Sequence, residues 1–219
     1  MRILITGAFG QLGYALNDVL SDKFDVIRTG RVIPTGLKGI GLNIQDKIYL
    51  NEVIAATSPD LIINLAAMTN VDACEKNPEI AKEVNIAGFQ HICDSFKGKI
   101  IQLSTDYVFD GKNGPYKEDD PVCPISVYGK TKLASEKLIF EHSSDNLVIR
   151  GNVLYDDSSY TKASFLNWVV ESLRNNQNIK VVNDQFNNPT WTRSMADIIE
   201  LCIYKNVNGI IHWGRLRSC

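Results

Sequence analysis

Short apolar runs alternate along the chain with longer segments in which apolar residues recur every three or four positions. The short runs are rich in Ile, Leu and Val and almost continuously apolar, which is typical of strands covered on both faces. They predict strands at Arg2–Thr6, Phe24–Arg28, Leu61–Leu65, Lys99–Leu103, Asn146–Arg150, Asn178–Val182 and Gly209–His212.

The longer segments have the spacing of helices that pack one face on a core. They predict helices at Gln11–Leu20, Asp46–Thr57, Pro78–Phe96, Ser126–His142, Ala163–Asn175 and Ser194–Tyr204. Because parallel strands need long crossovers, this alternation predicts an α/β fold with a doubly wound parallel sheet of the Rossmann type. We expect residues 1–150 to form a dinucleotide-binding domain. Residues 151–219 would form a smaller lobe with elements that pack back on the sheet.

Composition and charge exclude several classes of protein. Of the 219 residues, 44% are hydrophobic and 22% are charged, which is ordinary for a globular chain and excludes disordered chains and disulfide scaffolds. The net charge of −2 provides no field that would attract nucleic acid or an anionic membrane. The five cysteines show no C-x-x-C spacing, and the first apolar run is too short for a signal peptide. We therefore expect reduced thiols and a cytoplasmic location.

A glycine-rich turn follows the first predicted strand. Gly7, Gly10 and Gly13 are spaced three and three, where the strand ends and a helix begins. Such glycines allow a tight turn, let the backbone approach a pyrophosphate and let the helix pack on the strand. The pattern favours a dinucleotide site, and a glycine turn without a ligand is the alternative.

The end of the second predicted strand is where a dinucleotide-binding protein recognises the adenine ribose. An NAD site usually has an acidic residue there, whereas this segment has no acid after Asp25 and carries Arg28 and Arg31. A guanidinium group matches a 2′-phosphate, so we expect NADP, with NADPH preferred and NADH as the second choice. The alternative is a pair of solvated surface arginines.

Tyr128 and Lys132 are four residues apart in a predicted helix and therefore share one face. An adjacent ammonium favours the phenolate, and would bring the pKa of the tyrosine toward neutrality. Ser104 and Thr105 end the strand before the long irregular segment Asp106–Pro124, at the sheet edge where ligands of such folds bind. A hydroxyl at this edge can donate to a substrate carbonyl oxygen.

The chain resembles the extended short-chain dehydrogenase/reductases and, among them, the dTDP-4-dehydrorhamnose reductase family. The matching stretches are Thr6–Gly13, Asn64–Asp72, Val84–Asn85, Ser104–Gly111, Val127–Lys132, Asp184–Gln185 and Pro189–Thr190. The resemblance implies NAD(P)H-dependent reduction of a nucleotide-linked 4-keto sugar. In that reaction Tyr128 would protonate the keto oxygen, Lys132 would adjust the pKa of Tyr128, and Thr105 would be a second donor to the same oxygen.

The resemblance also implies two sets of contacts. The expected cofactor contacts are Gly7, Phe9, Gly10, Gln11, Leu12, Gly13, Arg28, Arg31, Asn43, Ala66, Ala67, Asn85, Tyr128 and Lys132. The expected substrate contacts are Ser104, Asp106, Asn152, Asp184, Gln185 and Thr190. Asn85 would help to position Lys132, although Asn85 and Gln185 could equally be plain helix or loop caps.

The sequence departs from the family pattern at two positions and in one segment. Val153 stands in place of a tryptophan near the substrate, and Asn187 replaces a glycine whose backbone conformation Asn tolerates. The segment Trp213–Cys219 matches nothing in the pattern, so we expect part of the substrate lobe to be absent.

Two other functions remain open at this stage. One is a sugar-nucleotide epimerase or dehydratase of the same fold, although the dehydratases have a glutamate where this chain has Tyr107. The other is a non-catalytic, NADP-binding regulatory subunit. The expected partners are the nucleotide sugar and, at most, a second copy of the chain in a homodimer. No metal is expected, because His91, His142 and His212 form no ligand or triad arrangement and are interpreted as structural.

Overall fold

The structure, a computed structural model, describes residues 1–156, 165–181, 183 and 187–214, and seven strands of this part form one parallel sheet. In spatial order they are β3 (Ile40–Gly41), β2 (Asp25–Gly30), β1 (Arg2–Thr6), β4 (Leu61–Asn64), β5 (Lys99–Thr105), β6 (Leu147–Gly151) and β9 (Gly209–Trp213). Two short strands, β7 (Leu154–Tyr155) and β8 (Thr190–Trp191), pair with each other in a separate parallel sheet. The predicted doubly wound α/β fold is confirmed.

Helices cover both faces of the sheet. They are α1 (Gln11–Leu20), α2 (Lys47–Thr57), α3 (Val71–Lys76), α4 (Pro78–Lys82), α5 (Gly88–Ser95), α6 (Val127–His142), α7 (Phe165–Arg174) and α8 (Thr192–Tyr204). A π-helical segment, Glu83–Ala87, joins α4 to α5. Within the described residues, no helix combines the length and the apolar character needed to cross a membrane.

The core has two halves, one on each face of the sheet. Successive side chains of a strand point to opposite faces, so Ile3 and Ile5 pack with α1 and α8, whereas Leu4 packs with α2 and α5. Both faces of β1 are fully buried, which explains its continuous apolar sequence.

The sheet order places a topological switch point between β1 and β4. From β1 the chain proceeds to β2 and β3 on one side and then crosses to β4 on the other. Buried polar side chains connect the carboxyl ends of β1 and β4 to the middle of β5, because Thr6 donates to Asn64, and Asn64 donates to Gln102 at 2.7 Å. In open α/β sheets this crevice is where ligands bind.

Several predicted elements need correction. Residues 178–181 form no strand, because they pair with none of the described strands and Val181 is exposed to solvent; Val182 lies outside the described residues. The single predicted helix Pro78–Phe96 contains the π segment, and α3, β3, β7 and β8 were not predicted.

The sheet also continues past residue 150. The predicted last strand is present as β9, where it extends the sheet beside β6, and α8 packs on α1. Elements of the later region therefore belong to the same layers as the first 150 residues. The division into two domains at residue 150 stays a prediction.

Four of the cysteines lie in the described residues and are free. Cys74, Cys93 and Cys202 are buried, and Cys123 is exposed. Cys219 lies outside the described residues.

Candidate active site

The glycine-rich turn between β1 and α1 fits a pyrophosphate. Gly7 has a φ of +67°, and a Cβ there would lie 2.8 Å from the backbone nitrogen of Ala66. A Cβ on Gly13 would lie 2.4 Å from the carbonyl carbon of Ala8, so α1 packs directly on the turn. Gly10 caps α1 and is less crowded, since its Cβ would contact only the Gly7 carbonyl oxygen, at 3.3 Å. The turn thus leaves its open side at the helix N-terminus, where backbone N–H groups attract anions.

Buried polar atoms without partners lie beside this turn. The side-chain nitrogen of Gln11 is buried and makes no hydrogen bond, and the same holds for Nε and Nη2 of Arg28. Buried polar groups are normally hydrogen-bonded, so unsatisfied donors of this kind indicate a ligand position. Both residues fit a phosphorylated dinucleotide.

The other predicted cofactor contacts have varied surroundings. Phe9 is half-buried and Arg31 is exposed. The Leu12 side chain belongs to the core, so it cannot face a ligand. Asn43 is exposed, and its side-chain oxygen accepts from the Gln45 backbone at 3.2 Å. A contact of Leu12 with a cofactor would therefore be made by its backbone N–H in the first turn of α1.

Ala66 and Ala67 follow β4 on the side facing the glycine turn, where both are half-buried. Asn85 fixes the next residue: its side chain accepts from the Met68 N–H at 2.7 Å and donates to the Met68 carbonyl at 3.0 Å. Its second amide hydrogen is donated to the Thr131 hydroxyl at 2.9 Å. Both donors of Asn85 are therefore engaged, which contradicts a direct cofactor contact through them. Asn85 instead ties the loop after β4 to α6, beside Lys132.

Thr105 and Tyr128 meet at the carboxyl end of β5. The Thr105 hydroxyl donates to Asp106 at 3.2 Å and accepts from the Tyr107 N–H at 3.3 Å. It also interacts with the Tyr128 hydroxyl, which lowers the pKa of Tyr128. The Tyr107 ring lies edge-on to the Tyr128 ring, with 5.8 Å between the centroids. The structure thus brings the strand-end hydroxyl close to the helix tyrosine.

The start of α6 is fixed by two caps and by a glycine. Ser126 Oγ accepts from the Gly129 N–H at 3.0 Å, and Glu75 accepts from the Val127 N–H at 2.6 Å. A Cβ on Gly129 would lie 2.1 Å from the Tyr107 carbonyl oxygen. Glycine at this position therefore allows α6 to approach the end of β5 and brings Tyr128 to Thr105.

Burial controls the pKa of both Tyr128 and Lys132. It raises the pKa of Tyr128, and Asp106 adds to the effect, while the hydrogen bond with Thr105 acts in the opposite direction. Burial lowers the pKa of Lys132 to about 8, against the opposing effect of the Glu136 carboxylate. The expectation that Lys132 lowers the pKa of Tyr128 is not met in this geometry, because burial dominates for both groups.

A buried ion pair lies behind Lys132. Glu136 accepts from Nε and Nη2 of Arg150, at 3.0 and 2.8 Å, and from the Ser104 hydroxyl at 2.5 Å. The Ser104 proton is thus donated to this carboxylate, which leaves its oxygen as an acceptor, and the substrate contact of Ser104 stays a prediction. Glu136 is not among the site residues predicted from the sequence, although its position four residues after Lys132 places both side chains on the same helix face.

The comparisons with known proteins agree with this arrangement. A family model described as the RmlD substrate binding domain matches residues 1–219. The chain belongs to this family. The resemblance inferred from its motifs is thereby confirmed.

Three relatives of this RmlD-family chain show the range of proteins to which it is similar. It is 32% identical to the spore coat polysaccharide biosynthesis protein SpsK of Bacillus subtilis, over all of this chain and 75% of that protein. It is 35% identical to the dTDP-4-dehydrorhamnose reductase of Burkholderia thailandensis, over 90% of this chain and 64% of that one. A third relative, methionine adenosyltransferase 2 subunit beta of Danio rerio, is 31% identical over 90% of this chain and 62% of that protein. The chain thus spans about two thirds of the length of the curated reductase it matches.

A solved structure gives the same fold. The dTDP-4-dehydrorhamnose reductase of Bacillus anthracis, crystallised in complex with NADP, superposes with a TM-score of 0.89 at 28% identity. The superposition covers 99% of this chain and 75% of that one.

The substrate-side residues expected in this RmlD-family chain are only partly brought together. Asp106 lies beside Thr105, and burial raises its pKa. Asn152 is half-buried and accepts from the Val153 N–H at 2.6 Å. Thr190 is buried with its hydroxyl 3.4 Å from the Trp213 carbonyl oxygen, and its substrate contact stays a prediction. Asp184 and Gln185 lie outside the described residues.

Proposed function

We propose that the chain catalyses the NADPH-dependent reduction of a nucleotide-linked 4-keto sugar, with dTDP-4-dehydrorhamnose as the substrate to test first. The observation that carries the proposal is the position of Tyr128 beside Thr105 at the carboxyl end of β5, set by the packing of Gly129 and of the Tyr128 ring on Tyr107. It places two hydroxyl groups at the carboxyl edge of the sheet, on the same side as the glycine turn. The names of the Burkholderia relative and of the Bacillus anthracis structure support this choice of substrate.

The residues around the glycine turn support NADPH as the cofactor. Gly7 and Gly13 shape a turn that only glycine allows, and Gln11 and Arg28 hold unsatisfied donors beside it. The Bacillus anthracis reductase was crystallised with NADP, which agrees with this donor set. When bound, the nicotinamide supplies a hydride to the carbonyl carbon of the sugar.

The chain's own residues would manage the proton. Since burial raises the pKa of Tyr128, the phenol stays protonated at neutral pH and can donate to the carbonyl oxygen. Thr105 donates its one hydroxyl proton to Asp106 in the structure, and this hydroxyl would rotate to donate a second hydrogen bond as negative charge develops on the oxygen. With a pKa of about 8, Lys132 exchanges protons readily near neutral pH, which suits a group that restores the proton of Tyr128.

A non-catalytic, dinucleotide-binding subunit is the second candidate. The similarity to methionine adenosyltransferase 2 subunit beta favours it, because that name describes a subunit. The presence of Thr105, Tyr128 and Lys132 favours the reductase.

The test is a steady-state assay of NADPH oxidation with dTDP-4-dehydrorhamnose, together with calorimetry of NADPH binding. The parent chain is expected to turn over, and Tyr128→Phe is expected to lose at least about 100-fold in kcat. Because the variant keeps the glycine turn and Lys132, its affinity for NADPH should stay within about threefold of the parent. A parent chain that binds NADPH and reduces no keto sugar would support the subunit instead.

A further inference from the structure

The side chain of Phe9 occupies the end of β2, where a dinucleotide-binding site recognises the adenine ribose. Its backbone is fixed on both sides, because the Ala8 N–H donates to the Thr29 carbonyl at 2.9 Å and the Gly10 N–H donates to the Gly7 carbonyl at 3.0 Å. The phenyl ring is half-buried. The position of this ring is therefore set by the turn that carries it.

Two glycines make room for the ring. A Cβ on Gly30 would lie 2.9 Å from the Cδ2 atom of Phe9, and a Cβ on Gly39 would lie 2.5 Å from its Cζ atom. Gly41 pairs with Gly30 in the neighbouring strand, and a Cβ there would meet nothing within 4 Å. Position 30 is thus closed to side chains by Phe9, whereas its partner on β3 is open.

Arg28 lies against the same ring. Its guanidinium carbon is 4.5 Å from the centroid of Phe9 and 5.4 Å from that of Tyr14 on α1, both within cation–π range. Its Nε and Nη2 atoms are buried without a hydrogen-bond partner. Arg150 uses the same two nitrogens to hold the Glu136 carboxylate, so Arg28 presents an equivalent pair of donors with no anion between them. Arg28 is half-buried, and buried guanidinium nitrogens without an acceptor are unfavourable, so an anionic ligand group is the fitting partner.

We propose that Phe9 determines the cofactor preference of this site. The ring takes the space that a carboxylate at position 30 would need in order to bind a ribose 2′-hydroxyl, and it holds Arg28 where a 2′-phosphate can bind. Selection of the 2′-phosphorylated dinucleotide then depends on a contact between the glycine turn and β2, and not only on the lack of an acid. This inference rests on the dinucleotide site of the proposed function.

The steric half of the proposal is tested with two alanine variants, using calorimetry of NADP⁺ and NAD⁺ binding and thermal unfolding of each protein. Gly30→Ala places a methyl group against the Phe9 ring and should weaken NADP⁺ binding by about tenfold or more, since overpacking displaces the ring. The matched variant Gly41→Ala should leave the affinity within about twofold, because its methyl group meets nothing. Adding Phe9→Ser to Gly30→Ala should restore the thermal stability.

The part of the proposal in which Phe9 holds Arg28 is tested with Phe9→Ser alone. Loss of the cation–π contact should lower the affinity for NADP⁺ by about tenfold and that for NAD⁺ by less than about threefold. Gly30→Asp alone should bind both dinucleotides poorly, because the carboxylate collides with the ring. Gly30→Asp combined with Phe9→Ser should bind NAD⁺ more tightly than NADP⁺.

The possible results separate this inference from the function on which it rests. A parent chain that binds neither dinucleotide overturns the proposed function and this inference with it. A parent that prefers NADP⁺, combined with a Gly30→Asp variant that binds NAD⁺ as tightly as the double variant, overturns this inference alone. If Gly30→Asp fails to fold and the double variant folds, the collision is demonstrated, and Phe9→Ser still tests the role of Arg28.

Discussion

The Glu136 carboxylate is held by Arg150 in a bidentate ion pair, at 3.0 Å from Nε and 2.8 Å from Nη2. Both side chains are almost fully enclosed, with 3% and 4% of their surface exposed. The pair connects α6, which carries Tyr128 and Lys132, to β6. Through the Ser104 hydroxyl it also reaches β5, so one carboxylate fixes the helix of the site against two strands.

This ion pair predicts a large effect of removing one partner. Arg150→Met leaves Glu136 buried and without its cation, so we expect the free energy of unfolding to fall by about 3–5 kcal/mol in urea titrations. Adding Glu136→Gln to the same variant should recover part of the loss, because it removes the unpaired charge.

The control for Arg150→Met is an exposed pair. Lys82 donates to Glu79 at 2.7 Å, with more than half of both side chains exposed. Lys82→Met should cost less than about 1 kcal/mol. Equal losses in Arg150→Met and Lys82→Met would show that the Glu136 site admits water.

Replacing Gly129 by Ala is expected to destabilise the protein, although Ala has the higher helix propensity. In most helix interiors, replacing Gly by Ala stabilises by about 1 kcal/mol. Here the new methyl group would lie 2.1 Å from the Tyr107 carbonyl oxygen, so α6 must shift away from β5. We expect Gly129→Ala to destabilise by about 1–3 kcal/mol. It should also lower kcat by at least about tenfold, since Tyr128 moves with the helix.

The neighbouring Lys130→Ala variant is the matched control, because Lys130 is exposed on the same turn of α6. It should change neither stability nor turnover appreciably. A Gly129→Ala protein that is more stable than the parent would contradict the close packing of α6 on the end of β5.

The strands of the central sheet could be predicted because each carries its own signal. Burial on both faces makes strands such as β1 and β4 continuously apolar, and this is visible in the sequence. The two-residue strands β3, β7 and β8 are too short to show a period, and α3 has only six residues. The segment Asn178–Val182 has the composition of a strand, but its described residues have no neighbouring strand to pair with. Pairing is a tertiary property that composition does not contain.

The candidate site likewise has residues that local sequence patterns could predict and contacts that they could not. The spacing of Tyr128 and Lys132 is local, and the strand-end position of Thr105 follows from the predicted sheet, so both could be identified. The contact of Gly129 with Tyr107 and the closing of Gly30 by Phe9 join residues separated in the chain. A single sequence gives no sign of such contacts. The hydrogen bond from Ser104 to Glu136 has the same origin, because the acceptor comes 32 residues later.

Replacing Asn85 is expected to lower the free energy of unfolding more than the removal of an ordinary helix cap does. It satisfies both backbone groups of Met68 and donates to Thr131, all in a buried position. Asn85→Ala leaves buried donors and acceptors unpaired, so we expect a loss of about 2–3 kcal/mol in the free energy of unfolding. Asn70→Ala removes an exposed cap that accepts from the Ala73 N–H and should cost about 1 kcal/mol. Similar losses in the two variants would show that water replaces the contacts of Asn85.

The lowered pKa of Lys132 makes the free energy of unfolding depend on pH. Burial lowers its pKa to about 8 from an ordinary value of 10.5. Below the folded pKa, the lysine is charged in both states, and the folded protein carries the full cost of burying the ammonium. Between the two pKa values, the unfolded chain binds a proton that the folded protein has released, so the free energy of unfolding rises with pH through this window.

The measurement is the difference in unfolding free energy between the parent and Lys132→Met, from urea titrations of both proteins without ligand at a series of pH values. Because every other titrating group, Tyr128 included, is present in both proteins, most of their contributions cancel. We expect the parent to gain about 2–3 kcal/mol relative to Lys132→Met as the pH rises from about 7 to about 10. The exposed Lys130→Met variant should show no such trend. Glu136→Gln should extend the window to lower pH, because it removes the carboxylate that opposes the effect of burial. A constant difference between the parent and Lys132→Met would mean that water reaches the ammonium and that the lysine keeps its ordinary pKa.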